Sequence, residues 1–365
     1  MLYKKIIRPI LFKIDPERVH NIILFYGRVL GRFFLARKAL KSAFYYEHPL
    51  LEQTIHGIKF KNPIGLGAGF DKDANLMNIL PSIGFGYEEI GSVTAKPCSG
   101  NAKPRLWRLP KHKSIVVNYG LKSKGCKAIA SKLASKLSGK KFAFPLGISI
   151  AKTNCEETAD PEKGIADYIE GFSTLEPFAD YLTINISCPN AYGGQPFSNP
   201  ELLEKLLARI DLIKTKKPVF LKISPDLSFA EINKIISVCN KHNIQGFIIS
   251  NLVKNREKTG IPSESFLKIG KGGLSGKVVQ KFSDDLISYI YKKTKGRYTI
   301  IGCGGIFTAE DAYEKIRRGA SLLQLVTGMI YEGPAVIKHI NKGLVVLLQR
   351  DGFTNISEAV GKGKR

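Results

Sequence analysis

Residues 298–328, YTIIGCGGIFTAEDAYEKIRRGASLLQLVTG, decide the fold. The run 298–306 is β-branched and apolar and closes on glycines. Thr308 then stands before an acidic stretch, the pattern of a helix N-cap, so a helix is expected over 308–319. A second β-rich run, 322–328, follows directly. Strand, helix, strand in this order is a βα unit, whose crossover lets neighbouring strands run parallel.

The same rhythm extends back to residue 54. Further β-rich runs lie at 62–69, 87–94, 144–151, 181–189, 218–225 and 246–251, which makes eight. The stretches between them read as helices at about 73–84, 122–138, 161–176, 200–215, 228–242 and 276–294, with a last one at 334–349. Ser228 supplies another N-cap signal. Eight such units over about 290 residues predict an α/β fold, a (β/α)8 TIM barrel rather than an open sheet. The expected organisation is an N-terminal helical segment at 1–45, a barrel at 46–350 and a basic tail at 351–365. The last five residues, 361–365, read as solvated and frayed.

In the first segment Tyr3, Ile6, Ile7, Ile10, Leu11 and Ile14 fall on one helical stripe, with Pro9 set to kink it. Asp15-Pro16-Glu17 opens a second helix, Asp15 as N-cap and Pro16 at the first position. Val19, Ile22, Ile23, Tyr26, Leu30, Phe33 and Phe34 continue the apolar face. These 45 residues carry ten basic and two acidic side chains, about three times the net basic density of the remaining chain. They read either as a helix pair docked on the barrel or as a cationic, aromatic-rich surface lying in a membrane interface.

The whole chain has 365 residues, with 56 Lys+Arg against 31 Asp+Glu and a net charge of +25. Hydrophobic residues at 44% and charged residues at 24% are an ordinary globular mix, which excludes disordered, collagen-like and polytopic membrane chains. Nucleic acid, an anionic membrane and anionic ligands all fit the basic excess. No stretch reaches the roughly 18 apolar residues of a span, and the N-terminus lacks a signal-peptide core. Cys98, Cys126, Cys155, Cys188, Cys239 and Cys303 show no metal spacing and are expected as free thiols in a reducing compartment. No metal site is expected.

In a barrel of this kind, polar residues at the C-terminal ends of the strands build the site. Here those ends carry Gly67-Ala68-Gly69-Phe70-Asp71-Lys72, Gly91-Ser92, Asn185-Ile186-Ser187-Cys188-Pro189-Asn190, Lys222, Ser250-Asn251, Gly302-Cys303-Gly304-Gly305 and Val326-Thr327-Gly328. Two lysines, three asparagines and bare glycine backbone on one mouth suit a flat, anionic, hydrogen-bonding ligand. The glycines of the last two strands match the phosphate site this fold often places there.

On these residues the chain resembles the dihydroorotate dehydrogenase family over essentially its whole length. Within it, the chain looks like the class 2, quinone-linked and membrane-associated form. Arg8-Pro9, Asp15-Pro16-Glu17-Arg18-Val19-His20, Asn62-Pro63, Ala68-Gly69-Phe70-Asp71-Lys72, Gly100-Asn101, Lys103-Pro104-Arg105-Leu106, the run 185–190 and Gly272-Gly273-Leu274-Ser275-Gly276 carry the likeness. The resemblance implies oxidation of dihydroorotate to orotate through bound FMN, in pyrimidine (UMP) biosynthesis. It further implies that electrons pass to a quinone and that the enzyme sits peripherally on the cytoplasmic side of the cell membrane. It implies that Cys188 is the base that removes a proton while a hydride goes to the flavin. Lys222 lies near the flavin's pyrimidine end, and Lys72 lies between flavin and the orotate carboxylate. Asn185, Asn190 and Asn251 face orotate's carbonyls and N–H groups. Gly276, Gly305, Val326 and Thr327 hold the FMN phosphate and ribityl chain, while Ala68, Gly69, Ser92 and Ser250 line the flavin. Asn118, Tyr119, Gly120 and Leu121 form the substrate loop.

Three positions depart from the family pattern. Class 2 usually has serine as the base, whereas the soluble class 1 enzymes have cysteine, as Cys188 does here. A thiol is intrinsically more acidic than a hydroxyl and needs less help to act. Valine replaces the usual asparagine at 117, with Asn118 one place later as its substitute. Ser149 stands where a flavin-contacting asparagine is expected. Two other readings stand beside the leading one: a class 1-like enzyme reducing a soluble acceptor such as fumarate, and a flavin- or nucleic-acid-binding barrel without catalysis. No aromatic-interleaved basic motif supports nucleic acid. The histidines read as surface or capping residues, with His20 a candidate for a quinone channel. Asp71 and Asp73 read as caps of the following helix, and Trp107 as a packing anchor.

Overall fold

Each of the eight β-rich runs holds one strand of a closed parallel barrel: β1 (Ile64–Leu66), β2 (Tyr87–Val93), β3 (Leu146–Ile150), β4 (Tyr181–Asn185), β5 (Val219–Ile223), β6 (Gly246–Ile249), β7 (Thr299–Cys303) and β8 (Leu322–Leu325). The computed structural model describes residues 2–137, 142, 144–188 and 190–363. Strands pair in sequence order, and β8 closes on β1 through the register Leu323↔Ile64, Gln324↔Gly65 and Leu325↔Leu66. The (β/α)8 expectation therefore holds.

Aromatic rings fill the barrel's lower interior. Tyr87, Tyr181 and Phe220 meet edge-to-face, with Phe60 inserted against Tyr87 at 5.3 Å between centroids. Space for them comes from glycine on the facing strands. A Cβ on Gly65 would come within 2.3 Å of the Tyr87 ring, and one on Gly147 within 2.1 Å of Tyr181. Phe60 belongs to an antiparallel hairpin, Gln53–Ile55 with Ile58–Phe60, that the sequence pattern did not reveal. The larger core lies outside the strands, where the helices bury their apolar faces.

Most expected helices form, and Thr308 and Ser228 each close a capping box with Asp311 and Glu231. Three expectations are corrected. The stretch 73–84 is helical only over Leu80–Ile83. Asp71 caps no helix; it accepts the backbone N–H groups of Asp73 and Leu76, and Ala74 at φ 53° keeps the chain turning. Within 276–294 the helix proper is Gln280–Lys293, because Gly273–Gly276 is a strand. That strand pairs with Ser114–Val117, which also pairs with Leu106–Leu109, giving an antiparallel sheet that sits beside the barrel mouth. Trp107 packs there, as expected. The tail does not fray as far as residue 363: Ile356 and Ala359 are buried, and Gly361 and Gly363 donate to Ile316 and Arg317 carbonyls. Residues 364 and 365 lie outside the described part.

The N-terminal segment forms α1 (Arg8–Phe12), α2 (Pro16–Leu30) and α3 (Phe34–Phe44). Pro9 does perturb the first helix, which begins as a wider turn over Tyr3–Ile7 with Arg8 N–H bonded to the Tyr3 carbonyl. Asp15 caps α2 through the Arg18 N–H. Tyr3 and Arg8 reach the carbonyls of Ile330 and Tyr331, and Lys4 pairs with Glu332. The main anchor is Glu17, which is 6% exposed. Its carboxylate takes Arg105 Nε and Nη2 at 2.8–3.2 Å, while Nη1 holds the carbonyls of Ser99 and Asn101. The guanidinium beside it holds the Glu17 carboxyl below the ordinary carboxylate range against the opposing effect of burial.

Removing one partner of such a pair leaves a buried charge unmet. Glu17→Ala is expected to cost about 3–5 kcal/mol. Urea unfolding should register the loss, and proteolysis should release residues 2–44 first. A variant as stable as the parent would show that the apolar contacts alone hold the segment.

Candidate functional site

The strand ends open into one cavity of about 500 Å³ that continues beneath α2 and α3. Its floor is lined by Ala68, Gly69 and Lys72 after β1, Ser92 on β2, and Asn185, Cys188 and Asn190 at and after β4. Lys222 on β5, Ser250 and Asn251 after β6, Gly305 after β7, and Val326 and Thr327 after β8 complete the ring. Gly276 enters from the antiparallel sheet, and Tyr119, Gly120 and Leu121 from the loop that follows it.

Two expected residues are not among those lining it. Asn118 turns aside and accepts Asn101 Nδ2 at 3.0 Å, while Val117 presents to the cavity. A one-residue shift on an extended segment reverses the side-chain direction, so Asn118 does not substitute for the missing asparagine. Ser149 sits behind Ser92, their hydroxyls 2.8 Å apart, and reaches the cavity only through it.

A hydrogen-bond chain fixes the floor. Asn185 Nδ2 donates to Ser92 Oγ at 2.8 Å, and its Oδ1 accepts from Asn251 Nδ2 and from Ser187 Oγ, both at 3.2 Å. Asn251 Nδ2 also reaches the Ser187 carbonyl at 2.9 Å. Beneath them Glu89 is fully buried and accepts Tyr181, Thr183 and Gln324, with Lys222 Nζ 4.0 Å from its second oxygen. The sequence carried no sign of Glu89, because an acid in the middle of a strand is usually solvent-facing.

Lys72 and Tyr119 form the partition between the polar floor and the space above. The Lys72 ammonium lies 4.0 Å from the Tyr119 ring centroid and donates to the Gly69 carbonyl. Burial brings its pKa down to about 8, with Asp73 opposing the shift. His20, on α2, bonds the Phe70 carbonyl at 2.8 Å and stacks edge-on against Phe70. Burial first, then Lys72, lowers its pKa to about 3, so the ring is neutral. His20 therefore lines the cavity, whereas His48 caps Leu50 and His242 pairs with Asp211. Above the partition the walls are Tyr3, Leu11, Val19, Ile23, Tyr26 and Leu30, joined by Leu40 and Phe44.

Burial pushes the Cys188 thiol up to about 11, with Lys152 and Lys222 pulling it down. The dry surroundings outweigh the Asn190 N–H and the two lysines, so this thiol ionises less readily than a free cysteine. Among the described residues no group of acids, histidines and cysteines could hold a metal ion.

The floor fits a flavin phosphate ester. Lys222 is 5% exposed, and among the described residues its ammonium makes no hydrogen bond, so an acceptor-rich ring would meet an unfilled donor. Gln324 Oε1, also lining the cavity, lacks a partner. The helix Thr327–Glu332 starts without a side-chain cap, beside Gly276 and Gly305 at φ 107° and 74°, leaving backbone N–H groups to meet a phosphate.

Comparison with known proteins agrees with this geometry. The family model for dihydroorotate dehydrogenase matches residues 50–348. A "dihydroorotate dehydrogenase (quinone)" of Trichodesmium erythraeum is 38% identical over 99% of this chain and 98% of its own length. That of Christiangramia forsetii is 40% identical over 94% and 99%. The ligand-free structure of DHODH from Eimeria tenella superposes with a TM-score of 0.84 at 30% identity, covering 96% of this chain and all of that one. The same protein in complex with ferulenol gives 0.81 at 31%, covering 95% of each.

A thiol held near 11 makes a direct test possible. Alkylation of Cys188 by iodoacetamide, read at that residue by mass spectrometry, is expected to rise about tenfold per pH unit from 8 to 10. A plateau by pH 9 would show that the site ionises the thiol more readily than its burial implies.

Proposed function

The chain belongs to the dihydroorotate dehydrogenase family, and on that premise we propose how its own residues oxidise dihydroorotate and deliver the electrons to a quinone in pyrimidine synthesis. Gly276, Gly305 and the start of the Thr327–Glu332 helix would hold the phosphate of an FMN, and Ala68, Ser92 and Lys222 would line its ring. When bound, it supplies the hydride acceptor. The observation that carries the reading is that Cys188, Lys72, Lys222 and three asparagines line one cavity that runs on into an apolar passage under α2 and α3.

Dihydroorotate is a planar-ended carboxylate with alternating carbonyl and N–H groups. Lys72 meets the carboxylate, and Asn185, Asn190 and Asn251 meet the ring, each able to donate and accept. Asn185 and Asn251 are held by Ser92 and Ser187, so the ligand does not have to order them. Cys188 takes the proton as its thiolate. Lys222 stabilises the negative charge that gathers on the far side of the site during hydride transfer.

The quinone arrives from the membrane. Ile10, Phe25, Phe33, Phe34 and Leu35 are more than half exposed, on a segment rich in Lys and Arg, and among the described residues no helix is long and apolar enough to cross a bilayer. A helix pair with this makeup lies in the interface, apolar groups among acyl chains and cations at anionic headgroups. The proposed division is thus a membrane-facing segment at 1–45, a catalytic barrel at 46–350, and a C-terminal tail packed on it, with the enzyme peripheral on the cytoplasmic side.

Anaerobic mixing with dihydroorotate is expected to bleach the flavin absorbance. Cys188→Ala should slow bleaching at least a hundredfold with flavin still bound, and Cys188→Ser should keep part of the rate. A short-chain quinone, and not fumarate, should restore the colour; restoration by fumarate alone would assign a soluble acceptor. Separately, replacing Phe33, Phe34 and Leu35 by Ser should abolish co-flotation with vesicles containing anionic lipid while leaving bleaching unchanged. Undiminished flotation would remove the membrane role from this surface.

A further inference from the structure

The loop that leaves β3 carries a lysine to which the proposed chemistry gives no part. Lys152 is 3% exposed, and among the described residues it has no ion-pair partner. The nearest carboxylate that could serve, Asp167, is taken by the Thr153 N–H at 2.7 Å and the Thr153 hydroxyl at 2.6 Å. Lys152 Nζ points instead at the segment after Cys188: it donates to the Tyr192 carbonyl at 2.8 Å and sits 3.5 Å from Thr158 Oγ1. Two residues on, Asn154 Oδ1 accepts the N–H of the same Tyr192 at 2.5 Å. Asn154 Nδ2 in turn donates to the carbonyl of Gly120, in the substrate loop, at 2.9 Å. The side chains of Lys152 and Asn154 therefore hold both polar backbone atoms of Tyr192, and Asn154 also holds a second loop, one that lines the cavity.

We propose that Lys152 is a positioning residue: with Asn154 it clasps the backbone of Tyr192 and holds in place the segment that begins at the cavity-lining Asn190, which sets Cys188 and Asn190 against the bound substrate. Burying an ammonium without a carboxylate is costly. A solvent-exposed loop residue such as Tyr192, 52% exposed, needs no such partner for stability. The arrangement makes sense where the clasped segment must keep one position beside the cavity. The clasp keeps a cation within Coulombic range of the thiol; Lys152, Lys222 and Cys98 are the charged or titratable groups that act on Cys188, and Cys155, Asp167 and Cys188 those that act on Lys152. The hold on Gly120 ties the same clasp to the loop that carries Tyr119, and so to the partition formed with Lys72.

The inference rests on Cys188 as the proton acceptor and is tested so that the two can fail separately. The flavin-loaded enzyme is compared with Lys152→Met, Lys152→Arg and Asn154→Ala. Amide hydrogen exchange over 190–195 should quicken about tenfold in Lys152→Met and Asn154→Ala and stay near the parent rate in Lys152→Arg. Anaerobic flavin bleaching should slow about tenfold in Lys152→Met, be largely restored by Lys152→Arg, and show little change in KM. Unchanged exchange in both Lys152→Met and Asn154→Ala would overturn the clasp, as would lost bleaching that arginine does not rescue. Normal bleaching in Cys188→Ala, with faster exchange in Lys152→Met, would retain the clasp and remove the base.

Discussion

A carboxylate buried at the centre of the barrel is the constraint around which the molecule is organised. Glu89 has no solvent exposure, and an isolated ion there would cost several kcal/mol. Tyr181 and Thr183 from β4 and Gln324 from β8 converge on one of its oxygens at 2.9–3.2 Å, and Lys222 from β5 stands 4.0 Å from the other. Three strands that are not all neighbours are thereby tied to one side chain on a fourth. Below this layer lie the packed aromatic rings, and above it lies the polar floor of the cavity. The loose 4.0 Å approach matters, because it neutralises Glu89 while leaving the Lys222 donors facing the cavity.

Much of this was legible from the chain, for physical reasons that differ by element. The barrel strands announce themselves because they are covered on both faces, so their sequences are continuous β-branched runs. The capping boxes at Thr308 and Ser228 are local, four residues long, and need no tertiary context. The antiparallel sheet was hidden because Gly273–Gly276 pairs with Ser114–Val117 across more than 150 positions, and a glycine-rich run reads alone as a turn. The 73–84 helix failed for a related reason: Asp71, Lys132 and Lys136 bind the backbone of 73–76 in place of helical partners.

The site divides in the same way. Residues at strand ends project into the mouth by the geometry of the barrel, so Asn185, Lys222 and Asn251 could be placed from their position in a run. For Asn118 and Ser149, position in a run was not enough. Whether Asn118 or Val117 faces the cavity depends on the register of a strand pairing, and Ser149 is displaced from it by the one hydroxyl of Ser92. Lys152 gave no signal at all, since an isolated lysine after a strand is most often solvated.

The basic excess that first pointed in several directions resolves along the cavity. Its polar half holds Lys72 and Lys222, which suit an anionic ligand; its apolar half is enclosed by helices whose outer faces carry the cations. Between them Lys72 and Tyr119 form the partition, with His20 stacked on Phe70 beside it. A charged imidazole at that point would draw water into the apolar passage and repel the Lys72 ammonium 4.0 Å from the same tyrosine ring. Burial keeps His20 neutral, with its Nε2 committed to the Phe70 carbonyl. In the proposed function the wall then stays dry on the acceptor side while presenting a cation to the substrate side, so a water-soluble anion and a lipid-soluble oxidant would use one cavity without meeting.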